Sequence, residues 1–340
     1  MSKVVIIAEA GVNHNGDLDK AKALIDVAAE SGADYVKFQT FKAEKLVSKS
    51  AIKADYQKRN INDGDDSQYA MLKRLELSEE HHSILKDYSQ SRHIKFLSTA
   101  FDEESILFLN QLGIDLFKIP SGEITNYPYL VTIAKQLKPV ILSTGMATYQ
   151  EVEEAIKVLV NHGLSKDKLT VLHCNTEYPT PYGDVNLKAM TLMGQKLGTA
   201  FGYSDHTLGI EVPIAAVALG ATVVEKHFTL DCTLPGPDHA ASLEPEELRK
   251  MINAIRNIEM AISGSGQKEP SKSEVKNKLV VRKSIHIVKA IRAGEKIQQS
   301  HLGMRRPATG ISPMELPNII GRVTLRDLQE GEILLKTDFQ

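Results

Sequence analysis

The chain has 340 residues, with 41 Lys and Arg against 43 Asp and Glu and a net charge of −2. That length calls for a large domain plus a small one, and the scattered, balanced charge gives no nucleic-acid or anionic-membrane partner. No segment approaches the roughly 18 apolar residues of a membrane span, and the start MSKVVIIAEAG has too short an apolar run for a signal peptide, so a cytoplasmic protein is expected.

From the N-terminus, short β-branched runs alternate with amphipathic helical patterns. VVIIAEAG (4–11) is followed by DLDKAKALIDVAAESG (17–32), whose closing Gly is a helix stop. DYVKFQT (34–40) leads into a polar insertion, 42–75, containing NINDGDDSQ; a connection that long is read as a lid on the active face. The alternation then continues through IKFLSTA, DEESILFLNQLG, LFKIPSG, PVILSTG, YQEVEEAIKVLVNHG, LTVLHC, TAFGYSD, IEVPIAAVALG and ATVVEKHFT. Eight such rounds over about 260 residues fit an α/β fold of the (β/α)8 TIM-barrel type better than an open doubly wound sheet. After the helical pattern EPEELRKMINAIRNIEMAI, the Ser-, Gly-, Pro- and Lys-rich SGSGQKEPSKSEVKNK reads as a linker. The expected organisation is a barrel at 1–262, a linker at 263–278 and a small β-rich domain at 279–340. Cys174 and Cys232 have neither disulfide nor metal spacing and are read as bystanders.

In a TIM barrel the chemistry sits at the carboxyl ends of the strands, and all eight ends here are polar. Lys37 and Gln39 share one strand face. Lys37 and Lys118, with the hydroxyls of Ser98, Thr99, Ser121, Ser143 and Ser204, suggest an anion pocket, since buried lysines need an opposite charge. His206 and His227 end strands seven and eight, where two neutral imidazoles would suit a divalent transition metal that keeps open positions. Glu9, placed across the barrel, and Asp205 and Glu225, placed nearby, complete the group. His81, His82, His93 and His162 are read as solvated.

The motifs AEAGVNHNG, VKFQTF, FLSTAFD, FKIPSGEITNYPYL, ILSTGMAT, LHCNTEYPTP, GYSDHT, EKHFTLD and GPDHAAS together resemble the sialic acid synthase family. The tail, with RKSI, AGE, RRPATGIS and IGR, resembles its antifreeze-like (SAF) domain. The resemblance implies condensation of phosphoenolpyruvate with an open-chain N-acetylated mannosamine, giving a nine-carbon 2-keto acid and phosphate. It implies that His206 and His227 hold a divalent metal, manganese above magnesium or cobalt, and that Lys37, Thr99, Lys118, Ser121, Ser143, Thr176 and Ser204 contact phosphoenolpyruvate. Some relatives read CTN where this chain reads CNT, so either Asn175 or Thr176 faces the phosphate. Glu9, Gln39, Glu123, Tyr178 and Asp238 resemble residues around the sugar and the reacting carbons, with Glu9 or Glu123 handling the water. Finally, it implies a domain-swapped homodimer in which Arg306 of MRRPATGIS contacts the sugar's N-acetyl group.

N-acetylneuraminate synthesis from N-acetylmannosamine is the first reading of this resemblance. The alternative is legionaminate synthesis from a 2,4-diacetamido-2,4,6-trideoxymannose. A synthase using a phosphorylated aldose is disfavoured by the tail, and a non-catalytic ice- or carbohydrate-binding protein has no use for polar groups at every strand end.

Overall fold

The computed structural model describes residues 3–61 and 63–340; Met1 and Ser2 at the start and Asn62 of the insertion lie outside them. The chain divides into two compact units, Met1–Gly264 and Ser265–Gln340.

In the first unit eight parallel strands run β1 (Val5–Gly11), β2 (Tyr35–Thr40), β3 (Lys95–Ala100), β4 (Phe117–Ile119), β5 (Val140–Ser143), β6 (Leu169–His173), β7 (Ala200–Asp205) and β8 (Val223–His227). The ladder order is β3-β2-β1-β8-β7-β6-β5-β4, so β1 pairs with both β2 and β8, and β3 lies beside β4 to complete the ring. This is the expected TIM barrel. Its helices are α1 (Leu18–Ser31), α2 (Ala43–Leu46), α3 (Asp55–Ile61), α4 (Gln68–Leu75), α5 (Glu79–Ser91), α6 (Glu103–Leu112), α7 (Tyr127–Ala134), α8 (Tyr149–Asn161), α9 (Leu187–Leu197), α10 (Glu211–Ala218) and α11 (Pro245–Ala261). Local chemistry sets several of their ends. Asp17 caps α1 by accepting from the backbone N–H of Asp19 and Lys20, and Gly32 ends it at φ 86°. Thr148 and Glu151 form a reciprocal capping box on α8.

The two-residue strand period divides each strand between two environments. Outward residues such as Ile6, Ala8, Val36, Phe38 and Val224 pack with helix residues including Leu24, Ile25, Leu109 and Met251. Inward, Ile7, Tyr35, Leu97, Ile141, Leu172 and Val223 fill the lower barrel with an apolar cluster that Leu116 joins. Two residues further along each strand the interior turns polar, at Glu9, Lys37, Thr99, Lys118, Ser143, Cys174 and Glu225. Gly202 belongs to the lower layer for want of room: a Cβ there would lie 2.2 Å from the Val223 carbonyl oxygen.

The insertion 42–75 carries the short helices α2, α3 and α4 in place of an irregular loop. Its apolar residues Ala43, Met71, Leu72 and Leu75 make a small core of their own with Val12 and Phe41.

The second unit holds α12 (Lys272–Val281), β9 (Ser284–Ile287), the antiparallel β10 (Leu302–Arg305) and α13 (Leu316–Ile319). It is built around Ile285, Ile287, Ile291, Ile297, Ile311, Leu328 and Leu334. Within the expected linker 263–278, most of the second half is helical. Ser271 and Glu274 form a capping box that starts α12, a local signal that outweighs the stretch's linker-like composition.

Candidate active site

The polar upper layer faces a cavity of about 660 Å³, walled on one side by the lid helices. Its floor is a buried network of four charges. Lys37 Nζ lies 2.8 Å from Glu9 Oε2 and 3.5 Å from Glu225 Oε2, and it donates to Thr99 Oγ1 at 3.0 Å. Lys118 Nζ and the Ser204 hydroxyl each donate to Glu225 Oε1 at 2.9 Å. The sequence suggested lysines waiting for an external anion. The fold instead gives them internal carboxylates, because a buried ammonium without a counter-charge is costly. Glu225, which sequence reasoning left out of the anion pocket, is the hub.

Burial and charge separate the acids. Burial raises Glu9 to about 7, against the opposing pull of Lys37. Glu225 is equally buried, yet Lys118 and Lys37 more than offset that and hold it well below the carboxylate range. Burial likewise raises Asp238 to about 7, with Lys37 opposing.

At the rim of this floor His206 and His227 converge, their ring centroids 5.4 Å apart. The carbonyl of Asn175 can only accept, so it fixes the proton of His206 on Nδ1 and leaves the Nε2 lone pair available. Burial lowers His206 to about 4, and burial together with His206 lowers His227 well below its ordinary value, so both rings are neutral at pH 7. The buried Nδ1 of His227 has no hydrogen-bond partner, with Asp238 Oδ2 4.0 Å away. Two neutral imidazoles, that of His206 oriented by the Asn175 carbonyl, fit a divalent metal. Among the described residues no group of three or more His, Cys, Asp or Glu side chains is placed to hold one, so water and substrate would fill the other positions. Tyr178 packs on His206 with centroids 4.1 Å apart, and Tyr56 of α3 stacks on Tyr178 at 5.0 Å.

Of the sequence candidates, Glu9, Lys37, Gln39, Thr99, Lys118, Ser121, Ser143, Thr176, Tyr178, Ser204, His206, His227 and Asp238 all line this cavity. The buried Ser143 hydroxyl has no protein partner, which leaves it available to a ligand. Thr176 faces the cavity, whereas the Asn175 side chain accepts from the Glu177 backbone N–H at 2.8 Å and from Thr180 Oγ1 at 3.3 Å. Glu123 is not among the lining residues and accepts from Asn126 Nδ2 at 2.6 Å. Arg306 belongs to the second unit, just beyond β10, with its side chain exposed.

Four further expectations are corrected. Glu9 is not across the barrel from His227 but registered beside it, because ring closure makes β1 and β8 neighbours. Asp205 points outward, where its carboxylate accepts from Lys226 Nζ at 2.6 Å. Ser98 also faces outward, toward Thr40 at 2.6 Å. His82 is fully buried, bonding Thr40 Oγ1 at 2.7 Å and donating from Nδ1 to the Ser78 carbonyl at 2.8 Å. Sequence reasoning also missed Tyr56 and the apolar lid wall, since nothing local marks which face of a short lid helix meets the barrel.

Residues 24–268 match the NeuB family and residues 282–340 the SAF domain. The chain belongs to the NeuB family. It is 52% identical over 334 residues to the N,N'-diacetyllegionaminic acid synthase of Campylobacter jejuni, covering 98% of this chain and 99% of that one. The human N-acetylneuraminate-9-phosphate synthase is 35% identical over 338 residues, 97% of this chain and 91% of that one. Among solved structures, the N-acetylneuraminic acid synthetase of Leptospira borgpetersenii, in complex with citrate, superposes with a TM-score of 0.71 at 35% identity, covering 81% of this chain and 90% of that one. As a member of this synthase family with an attached SAF domain, the chain is an enzyme of the condensing, transferase type.

Proposed function

We propose that the protein is an N,N'-diacetyllegionaminic acid synthase, condensing phosphoenolpyruvate with 2,4-diacetamido-2,4,6-trideoxymannose and releasing phosphate. The observation that carries this is the 52% identity, over nearly the whole length, to synthases of that name from Campylobacter jejuni and Legionella pneumophila. Sequence reasoning put N-acetylmannosamine first. The N-acetylneuraminate-9-phosphate synthases, at 35%, favour the diacetamido acceptor by contrast.

In this reading Lys37 and Lys118, with the hydroxyls of Thr99, Ser121, Ser143, Thr176 and Ser204, bind the phosphate and carboxylate of phosphoenolpyruvate. His206 and His227 hold a divalent ion, manganese by expectation, whose chemistry when bound is Lewis-acid polarisation of the acceptor's carbonyl. Glu225 anchors Lys118 and stays charged. Glu9 lines the cavity with a raised pKa and is suited to hold a proton near the reacting carbons or take one from the attacking water; Glu123, turned toward Asn126, is assigned no such contact. The enol carbon bonds to the aldehyde carbon, water adds at the second carbon of phosphoenolpyruvate, and phosphate leaves by carbon–oxygen cleavage. Tyr178 and Tyr56 cover the site and exclude bulk water. The homodimer in which Arg306 serves a neighbouring barrel, and a cytoplasmic location, remain part of this proposal. Exposure of Arg306 supports the first, and among the described residues no helix is long and apolar enough to cross a membrane.

The test is phosphate release by the purified protein from phosphoenolpyruvate with each of several acceptors. Highest kcat/KM with the diacetamido-trideoxy sugar is expected; preference for N-acetylmannosamine overturns the assignment of acceptor.

A further inference from the structure

The floor of the cavity is charged, but one stretch of its wall is not. Leu46 at the end of α2, Val47 just after it and Leu72 of α4 all line the cavity. Packing within the lid explains Leu72, which is 9% exposed and belongs to the lid's small core. Leu46 and Val47 pack against the same core but are only half-buried, so part of each side chain is left to the space a substrate would enter. The wall is held in place. The backbone N–H of Ala43 donates to Glu76 Oε1 at 2.6 Å, and Lys73 ties Glu76 at 2.8 Å to Glu44 at 3.5 Å. The neighbouring α3 is fastened to the barrel loops by Arg59 to Glu177 at 2.6 Å and by Asn60 Nδ2 to the Pro237 carbonyl at 2.7 Å.

An acceptor whose carbonyl end reacts at the floor has its distal carbons in the same cavity that this wall lines. Resting on the acceptor reading above, we propose that Leu46, Val47 and Leu72 form an acceptor-selecting surface. It takes the methyl groups of a 6-deoxy, acetamido-bearing chain end and disfavours an end bearing hydroxyls. A hydroxyl desolvated against such side chains loses its water without gaining a partner, whereas a methyl gains contact. Gln68, on the same wall, offers an amide suited to an acetamido group. Discrimination by an apolar surface of this kind is worth about 10- to 100-fold.

The test measures kcat/KM of the full-length protein, at saturating phosphoenolpyruvate, for 2,4-diacetamido-2,4,6-trideoxymannose and for N-acetylmannosamine. Val47→Thr keeps the side-chain shape and adds a hydroxyl, Leu46→Asn makes the wall polar, and Leu46→Met keeps it apolar. Val47→Thr and Leu46→Asn should each cut the preference for the deoxy acceptor about 10-fold, chiefly through its KM, with the phosphoenolpyruvate KM unchanged; Leu46→Met should retain the preference. If wild type prefers the deoxy acceptor but both polar variants keep that preference, or lose both activities equally, the wall alone is refuted. If wild type prefers N-acetylmannosamine, the acceptor reading falls and the wall falls with it.

Discussion

Glu225→Gln tests the charge network of the floor. Among the described residues Lys118 has its ion pair with Glu225 alone, at 2.9 Å, while Lys37 keeps Glu9 at 2.8 Å. Both Lys118 and Glu225 have side chains only 4% exposed, so solvent cannot replace the lost carboxylate. Removing one partner of such a pair costs about 3–5 kcal/mol. For a unit of this size each kcal/mol shifts the melting temperature by about 2 °C, so a drop of roughly 6–10 °C is expected. The same argument predicts a rescue. An anion entering the cavity supplies the missing charge, so phosphoenolpyruvate or inorganic phosphate should raise the variant's melting temperature more than that of wild type. Differential scanning fluorimetry across a phosphate titration reads both effects. A drop below about 2 °C, or equal stabilisation of the two proteins by phosphate, would refute the hub role of Glu225.

His206→Ala and His227→Ala should each abolish Mn2+ binding by calorimetry while leaving the circular dichroism spectrum intact; retained affinity in either variant removes that residue from the metal set. Lys118→Met should raise the phosphoenolpyruvate KM at least about 30-fold, the lower end for a buried charged contact, with the acceptor KM little changed. An unchanged phosphoenolpyruvate KM counts against the anion pocket. Arg306→Ala should raise the acceptor KM and spare that of phosphoenolpyruvate, and equal effects on both would remove Arg306 from the acceptor site. Burial holds His82 in the folded state below the usual imidazole value of about 6.5, so the unfolded chain takes up the proton first as pH falls. Its contribution is therefore complete above about pH 6.5 and is lost as pH falls below it, and His82→Gln should flatten the acid limb of stability. Denaturant unfolding at pH 7 and pH 5.5 checks the slope.

The barrel was legible because its signal is repeated. Strand and helix alternate eight times, and the two-residue period carries each strand from an apolar interior layer to a polar one, as from Val223 to Glu225 or from Tyr35 to Lys37. Most cavity-lining candidates follow from that period and from chain order. The capping box at Ser271 was equally present in the sequence, but composition argued for a linker and masked it. His82 lay on a helix whose other residues are largely polar, and its burial depends on Thr40 and the Ser78 carbonyl, contacts that helical spacing does not reveal.

What the period cannot give is the partner of each inward charge. That depends on how the ring closes. Placing β1 beside β8 registers Glu9 against His227, although the two are separated by nearly the whole barrel in sequence. It also sets β4 opposite β8, so Lys118 reaches Glu225 across the interior. Hence the apolar strand that ends in Glu225, Lys226 and His227 sends its three charged or titratable groups to three destinations. Glu225 goes inward to the lysines, Lys226 outward to Asp205, and His227 inward again beside His206. The alternation is written in the strand itself. The pairing is written in the closure of the barrel, and only that closure identifies Glu225 as the carboxylate holding the floor together.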